Sequence, residues 1–89
     1  MNIAALYQAI LNKKLYHLIS NQTKNERTVV KFKRHASTFT FICSPSKTQE
    51  GEWDYTLLKD NEKARLGTIR AMWSDYQEWL GQGPHSDEG

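Results

Sequence analysis

The stretch that decides the fold is Thr28–Ser44, which reads TVVKFKRHASTFTFICS. Apolar and polar side chains alternate over Thr28–Lys33 and again over Thr38–Ser44, and both segments are rich in β-branched and aromatic residues. Alternation with a period of two predicts two strands, each with one buried face. The short segment His35-Ala36-Ser37 between them predicts a hairpin connection. The predicted inner face carries Thr28, Val30, Phe32, Phe39, Phe41 and Cys43.

The segment Trp53–Lys59 repeats this alternation and predicts a third strand. Trp53, Tyr55 and Leu57 are expected on its inner face. A polar loop, Pro45–Glu52, connects it to the second strand. The three strands are therefore expected to form an antiparallel meander.

The segment Glu62–Leu80 has the pattern of an amphipathic helix. Its large apolar residues recur at spacings of three and four, which places them on one stripe of a helix surface. The stripe consists of Leu66, Ile69, Trp73, Tyr76 and Leu80. Asp60 or Asn61 is expected to cap the start of this helix. Residues 82–89 offer nothing to bury and are expected to form a disordered C-terminal tail.

The first segment allows two interpretations. Asn2 is a suitable N-cap for a helix that starts just after it. We expect this helix to continue to Leu18, with Lys14 extending its side chain to solvent from the middle of the apolar stripe. The alternative is a helix that stops at Asn12 and is followed by a strand from Leu15 to Ser20.

Together these elements predict one two-layer α+β domain over residues 1–81, in the order α-β-β-β-α. A three-stranded antiparallel meander is expected to carry both helices on one face. This order, over residues 3–80, resembles that of double-stranded-RNA-binding domains and of small toxin ribonucleases built on the same scaffold. The resemblance implies binding or cleavage of RNA.

Two motifs depart from that resemblance. Where the RNA-binding domains place a lysine cluster, this chain has the charge-mixed stretch Asn61-Glu62-Lys63-Ala64-Arg65. The stretch Arg34-His35-Ala36-Ser37 matches only the histidine of the ribonuclease motif. Because element order alone does not carry function, we assign no family on this basis.

The composition is that of a small globular protein. The chain has 89 residues, of which 38% are hydrophobic and 25% are charged. Its apolar runs fall well short of the ~20 residues that a membrane-crossing helix needs. A single cysteine, Cys43, excludes an internal disulfide. We therefore expect a cytoplasmic protein that does not enter a membrane.

The charges are distributed unevenly along the chain. Residues 1–35 contain seven Lys or Arg against one acid, whereas residues 36–89 contain five Lys or Arg against nine acids. A chain divided in this way can present one basic face to an anionic partner. The alternative is that the two halves neutralise each other across the fold.

Motifs for catalysis and cofactor binding are scarce in this sequence. No glycine-rich loop joins a strand to a helix, so nothing predicts nucleotide binding. The histidines are scattered, and no set of about four ligands predicts a metal site. His35 follows two cations and could act as a general base in RNA cleavage, but the sequence offers no partner acid. We expect a protein that acts without catalytic residues, cofactor or metal.

One candidate binding surface is the sheet face opposite the helices. It is expected to carry Val29, Lys31, Lys33, Thr38, Thr40, Ile42, Asp54, Thr56 and Leu58. Arg27 and His35 are expected at its margins. The basic residues of this surface are Arg27, Lys31, Lys33 and Arg34. The alternative is an ordinary solvated face whose lysines prevent aggregation.

The other candidate is the flank of the last helix. Met72 and Trp79 lie roughly 80–100° from the centre of the predicted apolar stripe. Trp is typical of binding hot spots, and Met adapts to varied partners. The alternative is that both side chains pack on the first helix.

The leading functional hypothesis is a small non-enzymatic binding module that docks on a larger protein or protein complex. Such modules, of the inhibitor or adaptor type, are common among phage and mobile-element proteins of this size. The residues expected to contact the partner are Arg27, Lys31, Lys33, Arg34, His35, Ile42, Met72 and Trp79. The alternative is an RNA- or DNA-binding domain that uses the basic N-terminal third, while the leading hypothesis allows only weak nucleic-acid binding. A ribonuclease centred on His35 is the third hypothesis.

Overall fold

The computed structural model describes residues 2–81, which form two helices and one antiparallel sheet of five strands. The elements are α1 (Ile3–Leu11), β1 (His17–Lys24), β2 (Arg27–Arg34), β3 (Ser37–Pro45), β4 (Trp53–Lys59), β5 (Glu62–Lys63) and α2 (Leu66–Gly81). The strands lie in chain order, and each pairs antiparallel with the next. The predicted α+β class and meander are therefore confirmed, but the sheet has two strands more than expected. The predicted tail, residues 82–89, lies outside the described residues.

The additional strand β1 replaces the second half of the expected first helix. Asn2 caps α1 by accepting a hydrogen bond from the Ala5 N–H at 3.2 Å. The helix then ends at Leu11, and Lys13 takes a left-handed conformation at φ 60°. The expectation of one continuous helix is wrong, and the alternative of a strand after Asn12 is correct. The physical reason is that β1 supplies hydrogen-bond partners to β2, whose backbone would otherwise be an unpaired edge.

Two tight hairpin turns define the ends of the unexpected strands β1 and β5. Asn25 and Glu26 both have positive φ, at 55° and 65°, between the paired residues at the ends of β1 and β2. Asp60 and Asn61 do the same, at 50° and 73°, between β4 and β5. Positive φ at both central residues is the type I′ geometry that matches strand twist. Asp60 and Asn61 therefore form a turn rather than a helix cap, and α2 begins later than expected.

The core lies between the inner face of the sheet and the two helices. The largest buried side chains come from alternating positions of β2 and β3, as the sequence pattern predicts, and from one side of each helix. They are Phe32, Phe39, Phe41, Val30, Leu6, Ile10 and Met72. Phe32 stacks on Phe39 with ring centroids 5.5 Å apart. Both helices thus cover the same face of the sheet, which gives the two-layer arrangement expected.

The helix α2 is rotated relative to the predicted stripe. Met72, which the sequence placed on the flank, is 0% exposed, whereas Leu66 is 59% and Leu80 37% exposed. Trp73, expected at the centre of the stripe, is only partly buried. The rotation agrees with the contacts of Asp75, which bonds to Arg34 of β2 and to Tyr16 just before β1, because Met72 lies on the same side of the helix, one turn earlier.

Candidate functional site

The outer face of the sheet is the set of strand side chains that point away from the helices. The register of β2, β3 and β4 aligns Val29, Ile42 and Thr56 in one row, and Lys31, Thr40 and Leu58 in the next. Directly paired residues point to the same side of an antiparallel sheet. The nine residues predicted for this face therefore share it, and neither helix in residues 2–81 packs against it.

Four cations of the outer face lie together on β1 and β2, whereas Lys63 of β5 lies on the same face at its other edge. Arg27, Lys31 and Lys33 come from β2, and Lys24 of β1 lies directly opposite Arg27. All four are exposed. In the described part of the chain, the salt bridge is made by Arg34 on the other face, so none of these four has a carboxylate partner. Within residues 2–81, these four cations of the N-terminal half are therefore not neutralised by carboxylates of the acidic half, whereas Arg34 is.

From the cations of β2 towards β4, the outer face becomes apolar. Val29, Ile42 and Leu58 are partly buried by their neighbours, and Thr40 is only 8% exposed. No aromatic side chain from residues 2–81 belongs to these two rows. The face thus combines a small aliphatic centre with a cationic margin. Asp54 lies on β4, away from the cations, whereas Asp60 lines the same cleft as Lys31.

Arg34, predicted as a member of the basic surface, points to the inner face instead. Its Nε donates to Asp75 Oδ2 at 2.5 Å, and it lies 3.3 Å from the Tyr16 hydroxyl oxygen. The Tyr16 O–H also donates to Asp75 Oδ2, at 2.5 Å. Tyr16 holds a positive φ of 67°, which is rare for a bulky residue. These three residues join the segment just before β1, the end of β2 and the middle of α2, so Arg34 stabilises the fold and is not a free cation.

The electrostatics of this cluster follow from burial and hydrogen bonding. Burial, and then the hydrogen bond to the Asp75 carboxylate, raise the pKa of Tyr16 well above its usual value, against the opposing effect of Arg34. Burial would raise the pKa of Asp75, but the hydrogen bonds from Arg34 and Tyr16 outweigh it and hold that pKa below its usual value. Asp75 is thus ionised and Tyr16 protonated at neutral pH.

His35 is the first residue of the two-residue turn between β2 and β3, with φ 57°. It is exposed, and the nearby Asp75 already accepts from Arg34 and Tyr16. Among residues 2–81, no group of three or more His, Cys, Asp or Glu could hold a metal ion. The geometry therefore offers His35 no free acid partner for the general-base role considered from the sequence.

The second predicted surface, the flank of α2, is altered by the rotation of that helix. Met72 is a core residue and cannot contact a partner without unfolding. Trp79 is partly buried and stacks on Tyr76, with ring centroids 5.8 Å apart. A partner contact by Trp79 stays a prediction, whereas the proposed pair of Met72 and Trp79 is not formed.

A groove that the sequence analysis did not anticipate lies on the inner face, beside α1. Two adjoining clefts of about 450 and 540 Å³ share Thr23, Thr28 and Trp53. We call their union the inner-face groove; it is defined by these residues with Tyr7, Glu50 and Glu52. It exists because α2 contributes no residue to this end of the sheet. The available signal was Trp53 next to the acidic loop, but alternation alone assigned Trp53 to the core.

Comparison of this chain with protein-family models, with curated proteins and with solved structures finds no match. Neither described helix could span a membrane, since the longer one, α2, has 16 residues of mixed polarity.

Proposed function

We propose that this protein is a small non-enzymatic binding module that acts in the cytoplasm and docks on a larger protein through the outer face of its sheet. The observation that carries the proposal is the uncovered face on which Arg27, Lys31 and Lys33, without carboxylate partners in residues 2–81, border the aliphatic row of Val29 and Ile42. An apolar centre with a charged margin is the usual anatomy of a protein–protein interface. The inhibitor or adaptor type suggested by size remains part of this proposal.

Charge complementarity indicates the partner. The cations of β1 and β2 attract an acidic surface, and they would both steer its approach and fix its orientation. The partner we propose is accordingly a protein with an acidic patch beside a small apolar contact area. Trp79, on α2 behind the sheet, is at most a secondary contact in this arrangement.

A second candidate is binding to a nucleic-acid backbone, favoured by the row of Arg27, Lys31 and Lys33 along one strand. Two observations weigh against it. The two central rows of the outer face offer no aromatic side chain from the described residues on which bases could stack. Asp54 on β4, and Asp60 in the cleft that it shares with Lys31, repel phosphate.

The experiment compares matched charge reversals. Lys31→Glu with Lys33→Glu changes the outer face, while Lys47→Glu with Lys59→Glu changes exposed lysines elsewhere and serves as the control. Each variant and the wild type are used to capture partners from a nuclease-treated lysate. We expect the wild type and the control variant to retain one protein that the outer-face variant does not retain. After purification, that protein should bind the wild type directly.

Salt dependence separates the two candidates. If Lys24, Arg27, Lys31 and Lys33 neutralised about four phosphates of duplex DNA, raising salt from ~50 to ~200 mM would weaken binding on the order of 10²-fold. Docking that rests partly on apolar burial should lose much less. Submicromolar binding to duplex DNA or RNA at physiological salt, abolished by the outer-face variant, would replace the proposal with the second candidate.

A further inference from the structure

We propose that the inner-face groove binds an extended, arginine-rich peptide segment. This site is distinct from the outer face and opposite to it in charge, and the inference does not rest on the function proposed above. It rests on an exposed tryptophan, on the absence of cations from the groove lining and on the carboxylates at its rim.

The aromatic part of the groove is Trp53. It is 49% exposed and lines both clefts, although it belongs to an inward-facing position of β4. Tyr7 and Tyr55 line the cleft next to it, with ring centroids 5.7 Å apart. Burial raises the pKa of both tyrosines, so their hydroxyls are neutral and do not add charge. An accessible indole face is the preferred aromatic partner of an organic cation.

The rim supplies the matching charge. Glu26, Glu50 and Glu52 all line the cleft that includes Trp53, and all three are exposed. No Lys or Arg of residues 2–81 lines either cleft, and the salt bridge of this part of the chain lies elsewhere. A guanidinium can stack on an indole and donate to a carboxylate at the same time, which a compact ammonium does less well. The groove therefore favours arginine.

The carboxylates do not form a metal site instead. In the described structure, no three of the His, Cys, Asp and Glu side chains converge enough to hold an ion. The spread of Glu26, Glu50 and Glu52 along the rim suits several cationic side chains of one segment better than one small ligand. Thr23 and Thr28 lie in the floor shared by both clefts, and their hydroxyl groups hydrogen-bond to each other at 3.0 Å. Each hydroxyl oxygen keeps a lone pair that can accept from a peptide N–H.

The loop that carries two of the carboxylates is held in place by its own hydrogen bonds. The Ser46 N–H donates to the Glu52 carbonyl oxygen at 2.9 Å, and the Glu52 N–H donates to the Gln49 carbonyl oxygen at 3.2 Å. The Ser46 hydroxyl accepts from the Thr48 and Gln49 N–H groups at 3.2 and 3.1 Å. A rim that is ordered before binding loses less conformational entropy when the peptide arrives.

The test uses a fluorescein-labelled peptide of four Arg-Ala repeats and measures binding by fluorescence anisotropy at low salt. Peptides with glutamine or glutamate in place of each arginine are the probe controls. The site variants are Trp53→Ala and the pair Glu50→Gln with Glu52→Gln. The control variants are Leu66→Ala, which removes an exposed apolar side chain outside the groove, and the pair Asp54→Asn with Glu62→Gln, which removes two exposed acids outside it.

We expect the arginine peptide to bind the wild type, and the glutamine peptide to bind at least about tenfold more weakly. Trp53→Ala and the double glutamine variant should each weaken binding of the arginine peptide by about tenfold. Both control variants should stay within about twofold of the wild type. The glutamate peptide should not compete for the groove.

Two results would overturn the proposal: no binding of the arginine peptide at millimolar concentration, or binding that survives both site variants. If Trp53→Ala unfolds, the double glutamine variant decides alone, because its side chains are exposed and nearly isosteric with the originals. Loss of outer-face docking in Lys31→Glu with Lys33→Glu leaves the arginine peptide bound, so failure of this proposal and failure of the proposed function are separate outcomes.

Discussion

The inner and outer faces of β2 and β3 are built from alternate residues of the same two strands, yet they behave differently. Phe32 is fully buried in a stack of rings with Tyr16 and Phe39, at centroid distances of 5.6 and 5.5 Å. Lys31 and Lys33, its neighbours in the chain, are exposed and have no carboxylate partner in the described structure. The inner face thus forms the core of the domain, and the lysines of the outer face are exposed to solvent. Substitutions at adjacent positions should therefore have unrelated consequences.

The largest difference is expected between Phe32 and Lys31. Phe32→Ala removes a completely buried ring and should lower the free energy of unfolding by about 3–5 kcal/mol. Lys31→Ala should change it by no more than about 0.5 kcal/mol. Urea unfolding followed by far-UV circular dichroism measures both. Equal losses at the two positions would show that the outer face is also part of the folded core.

The next comparison tests the rotation of α2. Met72→Ala should lower the free energy of unfolding by about 2–5 kcal/mol, because the side chain is fully buried. Leu66→Ala, at the exposed end of the predicted stripe, should lower it by less than about 1 kcal/mol. Thermal and urea unfolding of the two variants provide the measurement. The reverse order would restore the stripe that the sequence pattern predicts.

A smaller effect on stability is expected in the cluster of Tyr16, Arg34 and Asp75. Tyr16→Phe keeps the ring on Phe32 but removes the O–H that donates to Asp75, and should lower the free energy of unfolding by about 1–2 kcal/mol. Tyr76→Phe is the matched control, since no hydrogen bond of the Tyr76 hydroxyl stabilises residues 2–81. It should leave stability nearly unchanged. Similar losses in both variants would mean that the hydroxyl of Tyr16 contributes nothing specific.

The same cluster predicts a dependence on pH. Burial would raise the pKa of Asp75, but the hydrogen bonds from Arg34 and Tyr16 hold that pKa below its usual value, so the ionised form stabilises the folded state. A depressed folded-state pKa means that this stabilisation is fully present above the unfolded-state value and is lost as the pH falls through the folded-state value. The stability difference between wild type and Asp75→Asn should therefore be greatest near neutral pH and shrink in acid. A stability difference that stays constant as the pH is lowered would contradict the proposed role of the Asp75 carboxylate.

The smallest effect on stability is expected for the outer face as a whole. Lys31→Glu with Lys33→Glu should shift the free energy of unfolding by only a few tenths of a kcal/mol, while abolishing the docking proposed above. Unfolding in urea and partner binding are measured on the same preparation. A large loss of stability in this variant would mean that lost binding could result from unfolding. It would also contradict the prediction that the outer face contributes little to stability.

Local patterns account for the parts of the fold that the sequence predicted. The inner and outer faces of β2, β3 and β4 followed from alternation within single strands, and the Asn2 cap followed from its side chain. The strand β1 did not follow, because most of its residues are exposed and leave no periodic pattern. The strand β1 forms because its backbone pairs with β2. Alternation within β2 also placed Lys31 and Lys33 on the outer face. The same alternation puts Arg34 on the inner face, but its partner Asp75, which is 41 residues away, could not be identified from the sequence.

The amino-acid sequence by itself determined the α+β class, the central meander and the division of its charges, since each depends on residues close together in the chain. The tertiary structure decided which side of α2 is buried, because the contact of Asp75 with Tyr16 joins residues 59 positions apart. It also decided the inner-face groove, which brings Glu26 from one hairpin and Glu50 from a distant loop to the same cleft as Trp53. Alternation along a strand says which side a residue faces, but only the packed helices determine how far that side is covered.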